Sequence, residues 1–312
     1  VKHMNLALIT VKQVAILFCL IFTGYVCVRM KVIKQEAKQA FSDLLIYLVV
    51  PAMVIHSYMI EFDPAILPNL AQSFGLSTGL IGIGLVFVMA VTWKKQDANL
   101  PIMRFACIFS NAAYMGFPLI QALFGSEGLI YASAYVTVFN LLLWTLGCGM
   151  LSGNVNIREV MRSICKTPVL ISVLIGLILY LGRIPVPQVV KQPISLIGNM
   201  NTPLSMLITG MIIAESDLKK LLRNQKLFGV IAIRMIVIPV ICFGLFILLG
   251  VHGMAAEVVL LLEACPCAAI TSVFAVKFHY DEELAAGTVV FSTFFSILTL
   301  PLCAMLLSMW VG

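Results

Sequence analysis

Apolar residues in this chain gather into runs of roughly twenty, the length that crosses about 30 Å of hydrocarbon as a helix. Short connectors holding most of the Lys, Arg, Pro and Gly separate the runs. This punctuation predicts ten spans, near Leu6–Val28, Ala40–Ile60, Leu70–Trp93, Pro101–Phe124, Ile130–Leu151, Val169–Leu181, Val189–Ala214, Phe228–Gly250, Ala256–Phe278 and Leu284–Trp310. The sixth is the shortest, because Arg183 and the prolines after it cut it off. The first lacks the Ala-rich cleavage end of a signal peptide and is kept as a span, with Met4 expected as the native start after Val1-Lys-His.

Composition agrees with the pattern. At 61% apolar and 11% charged residues, the chain has too little polar surface to cover a soluble globule, which predicts an all-α polytopic membrane protein. A net charge of +6 would suit an acidic partner if it formed one patch, but the basic residues lie between the apolar runs and read as topology signals. With the N-terminus outside, the inner connections hold Arg29, Lys31, Lys34, Lys38, Lys94, Lys95, Arg104, Arg158, Arg162, Lys166, Lys219, Lys220, Arg223, Lys226 and Lys277, which is 15 of the 20 basic residues. The outer ones hold Lys2, Lys12, Arg183 and Lys191. Positive-inside topology therefore places both termini outside the cytoplasmic membrane.

Catalytic and metal chemistry find little support. The nine Cys are odd in number and lie mostly inside apolar runs, so neither a disulfide ladder nor a zinc site is expected. Cys265-Pro266-Cys267 has the look of a soft-metal pair, but no Walker motif, Met cluster or His cluster accompanies it. Gly75-Leu-Ser77-Thr-Gly79 fits the pattern of a nucleophile elbow, which a spanning helix cannot form; close helix packing at these glycines is the expectation. No enzyme activity, cofactor or metal is predicted.

The chain also repeats. Pro51 and Pro203 stand 152 residues apart, and the same offset pairs Gly24 with Gly176 and Lys31 with Arg183. It superimposes residues 1–152 on 153–312, and two repeats of five spans must face opposite ways because five is odd. Such inverted pairs build many secondary transporters, whose sites lie at the midplane between Pro-interrupted helices. One interruption is Asn111-Ala-Ala-Tyr114-Met-Gly116-Phe-Pro118. The offset carries Asn111 to Glu263 and Pro118 to Ile270, inside Glu263-Ala-Cys-Pro266-Cys-Ala-Ala-Ile-Thr271-Ser272.

Each half offers chemistry. Asn111 can donate its amide to a substrate carboxylate, while N–H groups freed at the half-helix start add positive potential. Glu263 lies deep by any boundary, where a charged carboxylate costs several kcal/mol unless paired, so a proton-coupling role is expected. Sodium is the alternative coupling ion, held by unwound carbonyls beside Asn111, Thr271 and Ser272. Asn140 and Thr137 share a helical face, which suits packing glue and site lining equally. Arg234, inside the eighth span, is expected to snorkel to the inner surface. His56, near an outer end, is not expected to relay protons.

At these residues the chain resembles the auxin efflux carrier family, which includes the plant PIN-FORMED carriers and bacterial malonate-type organic-anion carriers. The likeness rests on Asn111 with Gly116 and Pro118, on Asn201-Thr-Pro203-Leu204 with Gly210, and on Ala264-x-Pro266-x-Ala268 followed by Phe274-Ala275. The resemblance covers essentially the whole chain. It implies two inverted five-helix repeats, a scaffold domain and a transport domain, crossed broken helices four and nine, elevator-type alternating access and a homodimer in the lipid bilayer. Where plant members place a second crossover proline this chain has Thr271, with Pro266 upstream.

Asn111, Tyr114, Gly116, Pro118, Asn140, Thr271 and Ser272 are thus the expected substrate residues, Glu263 the coupling residue, and Pro118, Pro266 and Thr271 the marks of the helix breaks. The expected activity is symport or facilitated passage of a small carboxylate. A sodium-coupled, bile-acid-like symporter is the alternative, and a non-transporting sensor is disfavoured by the short loops.

Overall fold

In the structure, a computed structural model, residues 2–34, 37–153, 166–215 and 224–311 are described. The basic residues Arg158, Arg162, Lys219, Lys220 and Arg223 lie outside them. The described residues are almost wholly helical, with one isolated β-bridge. In chain order the helices are α1 (Lys2–Arg29), α2 (Ala37–Leu44), α3 (Val50–Ser57), α4 (Ile66–Val91), α5 (Leu100–Ile108), α6 (Phe117–Leu142) and α7 (Cys148–Ser152). There follow α8 (Pro168–Leu181), α9 (Gln188–Gly198), α10 (Asn201–Glu215), α11 (Gln225–Ala232), α12 (Ile238–Leu249), α13 (Met254–Glu263), α14 (Ile270–Lys277) and α15 (Glu282–Val311).

Among the described residues, seven helical stretches are long and apolar enough to cross a membrane, and Pro168–Leu181 is apolar but shorter. One of the seven, Ala112–Ser152, contains the boundary drawn in the sequence between the fourth and fifth spans: Gly125 leaves helical geometry there, at φ 62° and ψ −150°. That conformation is open to glycine and strained for other residues. Apolar side chains also face outward, among them Val86, Leu174, Leu248 and Leu298. Helices apolar on the buried and the outer face alike call for hydrocarbon around them, and this is a multi-pass membrane protein.

Wide turns bend several of these helices, and proline explains three. The π-helical turns Leu45–Val49, Ala112–Gly116 and Ile233–Val237 each precede a proline by two residues, namely Pro51, Pro118 and Pro239. Each proline lacks the N–H that would reach the carbonyl four residues back, and widening the preceding turn takes up the missing bond. A fourth wide turn, Leu143–Gly147, has no such proline.

Close helix packing uses glycines other than those expected. A Cβ on Gly75 or Gly79 would meet nothing within 4 Å, which corrects their reading as a packing pair. On Gly210 it would run into the Ile21 carbonyl oxygen, and on Gly24 into the Leu207 carbonyl. Backbone thus lies against backbone where α1 and α10 pack. A second tight contact joins α8 to α3, where a Cβ on Gly176 would enter the Tyr58 ring.

Candidate anion site at a helix crossing

Two chain segments leave helical geometry side by side. The first, Phe109–Asn111, follows α5; the second, Ala264–Ala269, follows α13. They run antiparallel, with Ser110 bridged to Cys267. The Asn111 N–H donates to the Pro266 carbonyl at 2.7 Å, and the Ala268 N–H to the Phe109 carbonyl at 2.9 Å. Hydrocarbon supplies no water to satisfy open backbone, so non-helical chain at this depth must find its partners in protein, and here each break satisfies the other. The Cys267 N–H donates to Ser292 Oγ at 3.0 Å.

The first break lies upstream of Pro118, which stands in the first turn of α6. Pro266 lies within the second break, and Thr271 is in the first turn of α14. Gly116 belongs to the wide turn, where a Cβ would collide with the Leu262 side chain, so glycine lets the two breaks approach.

Crossing sorts the helix ends. The C-terminal ends of α5 and α13, the negative ends of their dipoles, converge on Arg234. Its Nε donates to the Cys265 carbonyl at 3.1 Å, and Nη1 to the carbonyls of Cys107 at 3.2 Å and Ile108 at 3.0 Å. Nη1 also donates to Glu263 Oε1 at 3.0 Å, and Nη2 to the Glu263 carbonyl. Arg234 and Glu263 both have 0% exposed side chains. The snorkelling path expected for Arg234 is therefore corrected: the wide turn Ile233–Val237 directs it inward, to the crossing.

Glu263 is closed on its other side as well. Tyr135 on α6 donates to Oε2 at 2.6 Å, and the same hydroxyl lies 2.9 Å from Ser110 Oγ. Replacing one member of such a buried pair leaves the other charge uncompensated, at a typical cost of 3–5 kcal/mol.

The positive helix ends face the opposite way. A cavity of about 920 Å³ is lined by Asn111, Ala113 and Tyr114, where the helix after the first break begins, and by Ala268, Ala269 and Ile270, where α14 begins. Each N-terminus carries a partial positive charge of about half an elementary charge, together with unpaired N–H donors. The cavity continues past Asn140, Phe139 and Trp144 to a mouth of mixed charge, where Lys38, Lys166 and Lys277 stand with Asp43, Glu215, Glu282 and Glu283. Lys38 and Glu215 form an ion pair there.

Among the expected substrate residues, Asn111, Tyr114, Asn140 and Ser272 line this cavity, while Gly116, Pro118 and Thr271 do not. Asn140 Nδ2 already donates to the Val136 carbonyl at 2.8 Å. Thr271 Oγ1 and Ser272 Oγ are buried without a hydrogen-bond partner. Thr137 and His56 do not reach the cavity.

Comparison with known proteins decides the family. Residues 9–304 match the family described as Membrane transport protein. The chain belongs to this family, that of the auxin efflux carriers. An uncharacterized transporter of Methanocaldococcus jannaschii is 23% identical over 312 residues, covering 95% of this chain and 98% of the relative. An uncharacterized transporter of Methanothermobacter thermautotrophicus is 23% identical over 299 residues, covering 92% and 95%. The carrier's crossing, cavity and buried ion pair all lie within the matched residues.

Proposed function

We propose that this carrier moves a small organic anion, of the carboxylate class, across the cytoplasmic membrane by alternating access. The observation that carries the reading is the convergence of two half-helix N-termini and the Asn111 amide on one cavity. Backbone N–H groups and positive dipole ends favour a carboxylate there, while the negative ends are turned away to Arg234. Asn111 supplies a neutral donor that orients the anion, and Tyr114, Asn140 and Ser272 shape its surroundings. Under the topology read from the basic residues, the cavity mouth at Lys38, Lys166 and Lys277 opens to the cytoplasm.

The architecture we propose around it is ten spans in two inverted five-helix repeats, residues 1–152 and 153–312, working as an elevator. Support comes from a paired contact: Gly24 meets Leu207 as Gly176 meets Tyr58, and the 152-residue offset carries Gly24 to Gly176 and Tyr58 to Gly210, one turn from Leu207.

Facilitated passage suits the geometry better than proton symport through Glu263. Protonating that carboxylate would leave the guanidinium without its counter-charge in a sealed site.

The test is thermal stability of the purified carrier against a panel of mono- and dicarboxylates, since a ligand of the native state raises stability by linkage. A concentration-dependent rise with one carboxylate, lost in Asn111→Ala, supports the proposal; indifference to the whole panel contradicts it.

A further inference from the structure

The acceptors around Arg234 form a set that an arginine seldom meets. Four backbone carbonyl oxygens, from Cys107, Ile108, Glu263 and Cys265, and one carboxylate oxygen surround a single guanidinium. They come from the last turns of two half-helices and the chain just beyond one of them, with no solvent exposure of the arginine. Carbonyls at half-helix C-terminal ends joined by a carboxylate are the ligands with which broken-helix transporters coordinate a dissolved alkali cation.

We infer that the Arg234 guanidinium is a tethered cation, occupying a cation site that the crossing itself creates. The inference stands apart from the identity of the transported solute. The planar fork suits the role, because its donors reach acceptors from both breaks at once while its charge is fixed at every accessible pH. The consequence is that the crossing is neutralised from within, and no Na⁺ is loaded or released there when the carrier changes conformation. Truncating the side chain should turn a filled site into an open one, ringed by the same five oxygens, with the Tyr135 hydroxyl nearby through Glu263.

The experiment measures unfolding temperature in choline chloride and in NaCl at equal ionic strength, so that substrate plays no part in the readout. Wild-type protein is expected to be indifferent to the exchange. Arg234→Ala should be less stable in choline and regain several degrees, saturably, as Na⁺ replaces it, and Arg234→Ala/Glu263→Gln should lose that response. Arg234→Lys, which keeps a tethered charge, serves if the alanine variant does not fold, and should fold and ignore Na⁺. A saturable Na⁺ response in the wild type overturns the inference. So does a folded Arg234→Ala that ignores Na⁺, K⁺ and Li⁺ alike, or an Arg234→Lys that is unfolded or responds to Na⁺.

Discussion

Arg234 and Glu263 meet at 3.0 Å with both side chains fully buried, 29 residues apart in the chain and at the point where two broken helices cross. The pair ties α13 to the wide turn Ile233–Val237, and through the Cys107 and Ile108 carbonyls it ties both to α5. Its removal is therefore felt at every end of the crossing.

Glu263→Gln should destabilise the fold by about 3–5 kcal/mol, because it keeps the volume and leaves the guanidinium uncompensated. Arg234→Met/Glu263→Gln should recover part of that loss, since no unpaired charge remains. Denaturant or thermal unfolding of the wild type, Glu263→Gln and the double variant measures this, and a double variant less stable than Glu263→Gln contradicts it.

Asn111→Ala should weaken carboxylate binding about 10- to 160-fold, or about 1.5–3 kcal/mol for a hydrogen bond to a charged group, with little change in unfolding temperature in the absence of ligand. Its main-chain bond to Pro266 is untouched by the substitution, which is why the fold should hold. Asn111→Asp should abolish binding, because it sets a negative charge against the anion. Equilibrium binding to the purified carrier separates these outcomes.

Gly210→Ala tests the helix contact outside the site. Its methyl group would enter the space of the Ile21 carbonyl oxygen, which belongs to backbone and cannot rotate away. A loss of about 1–3 kcal/mol is expected, the range for overpacking, whereas Gly75→Ala should be neutral or slightly stabilising.

Asp97, in the loop before α5, is held below the usual carboxylate range first by the hydrogen bond from Lys226 and then by the Asn99 N–H. The two side chains meet at 2.5 Å. A lowered folded-state value stabilises the fold above the unfolded-state value near 3.8, and the contribution disappears as pH falls through the folded-state value. Asp97→Asn should remove this part of the acid-side loss of stability, to a small extent because the pair is solvated. Unfolding temperature of both proteins followed from pH 6 to pH 3 checks the sign.

Much of the fold was legible because lipid imposes a simple rule: apolar runs of spanning length, charge in the connectors, and proline or polar residues inside a run where backbone is released. Asn111 and Pro266 announced the two breaks in this way. The location of a break was harder to read. Pro118 widens the turn before it, Ala112–Gly116, while the helix opens farther upstream at Phe109–Asn111 and the proline itself sits in regular helix.

The proposed repeat does not carry over at a fixed spacing either: the 152-residue offset sets Leu262 against Ser110, whereas the structure bridges Ser110 to Cys267. The partners of Arg234 were hidden for a different reason. Four of its five acceptors are backbone carbonyls, two of them over 120 residues away, and carbonyls carry no residue type for a sequence to display. Glycines mislead in the same manner, since Gly75 and Gly79 have the spacing of a packing motif while Gly24 and Gly210 have the contact.

The central claim is that the cavity beside the crossing carries a carboxylate. Flux of labelled mono- and dicarboxylates into proteoliposomes holding the purified carrier tests it most directly. We predict saturable uptake of at least one, driven by its own gradient and reduced in Asn111→Ala. No flux of any carboxylate, under any imposed proton, sodium or solute gradient, would contradict the account.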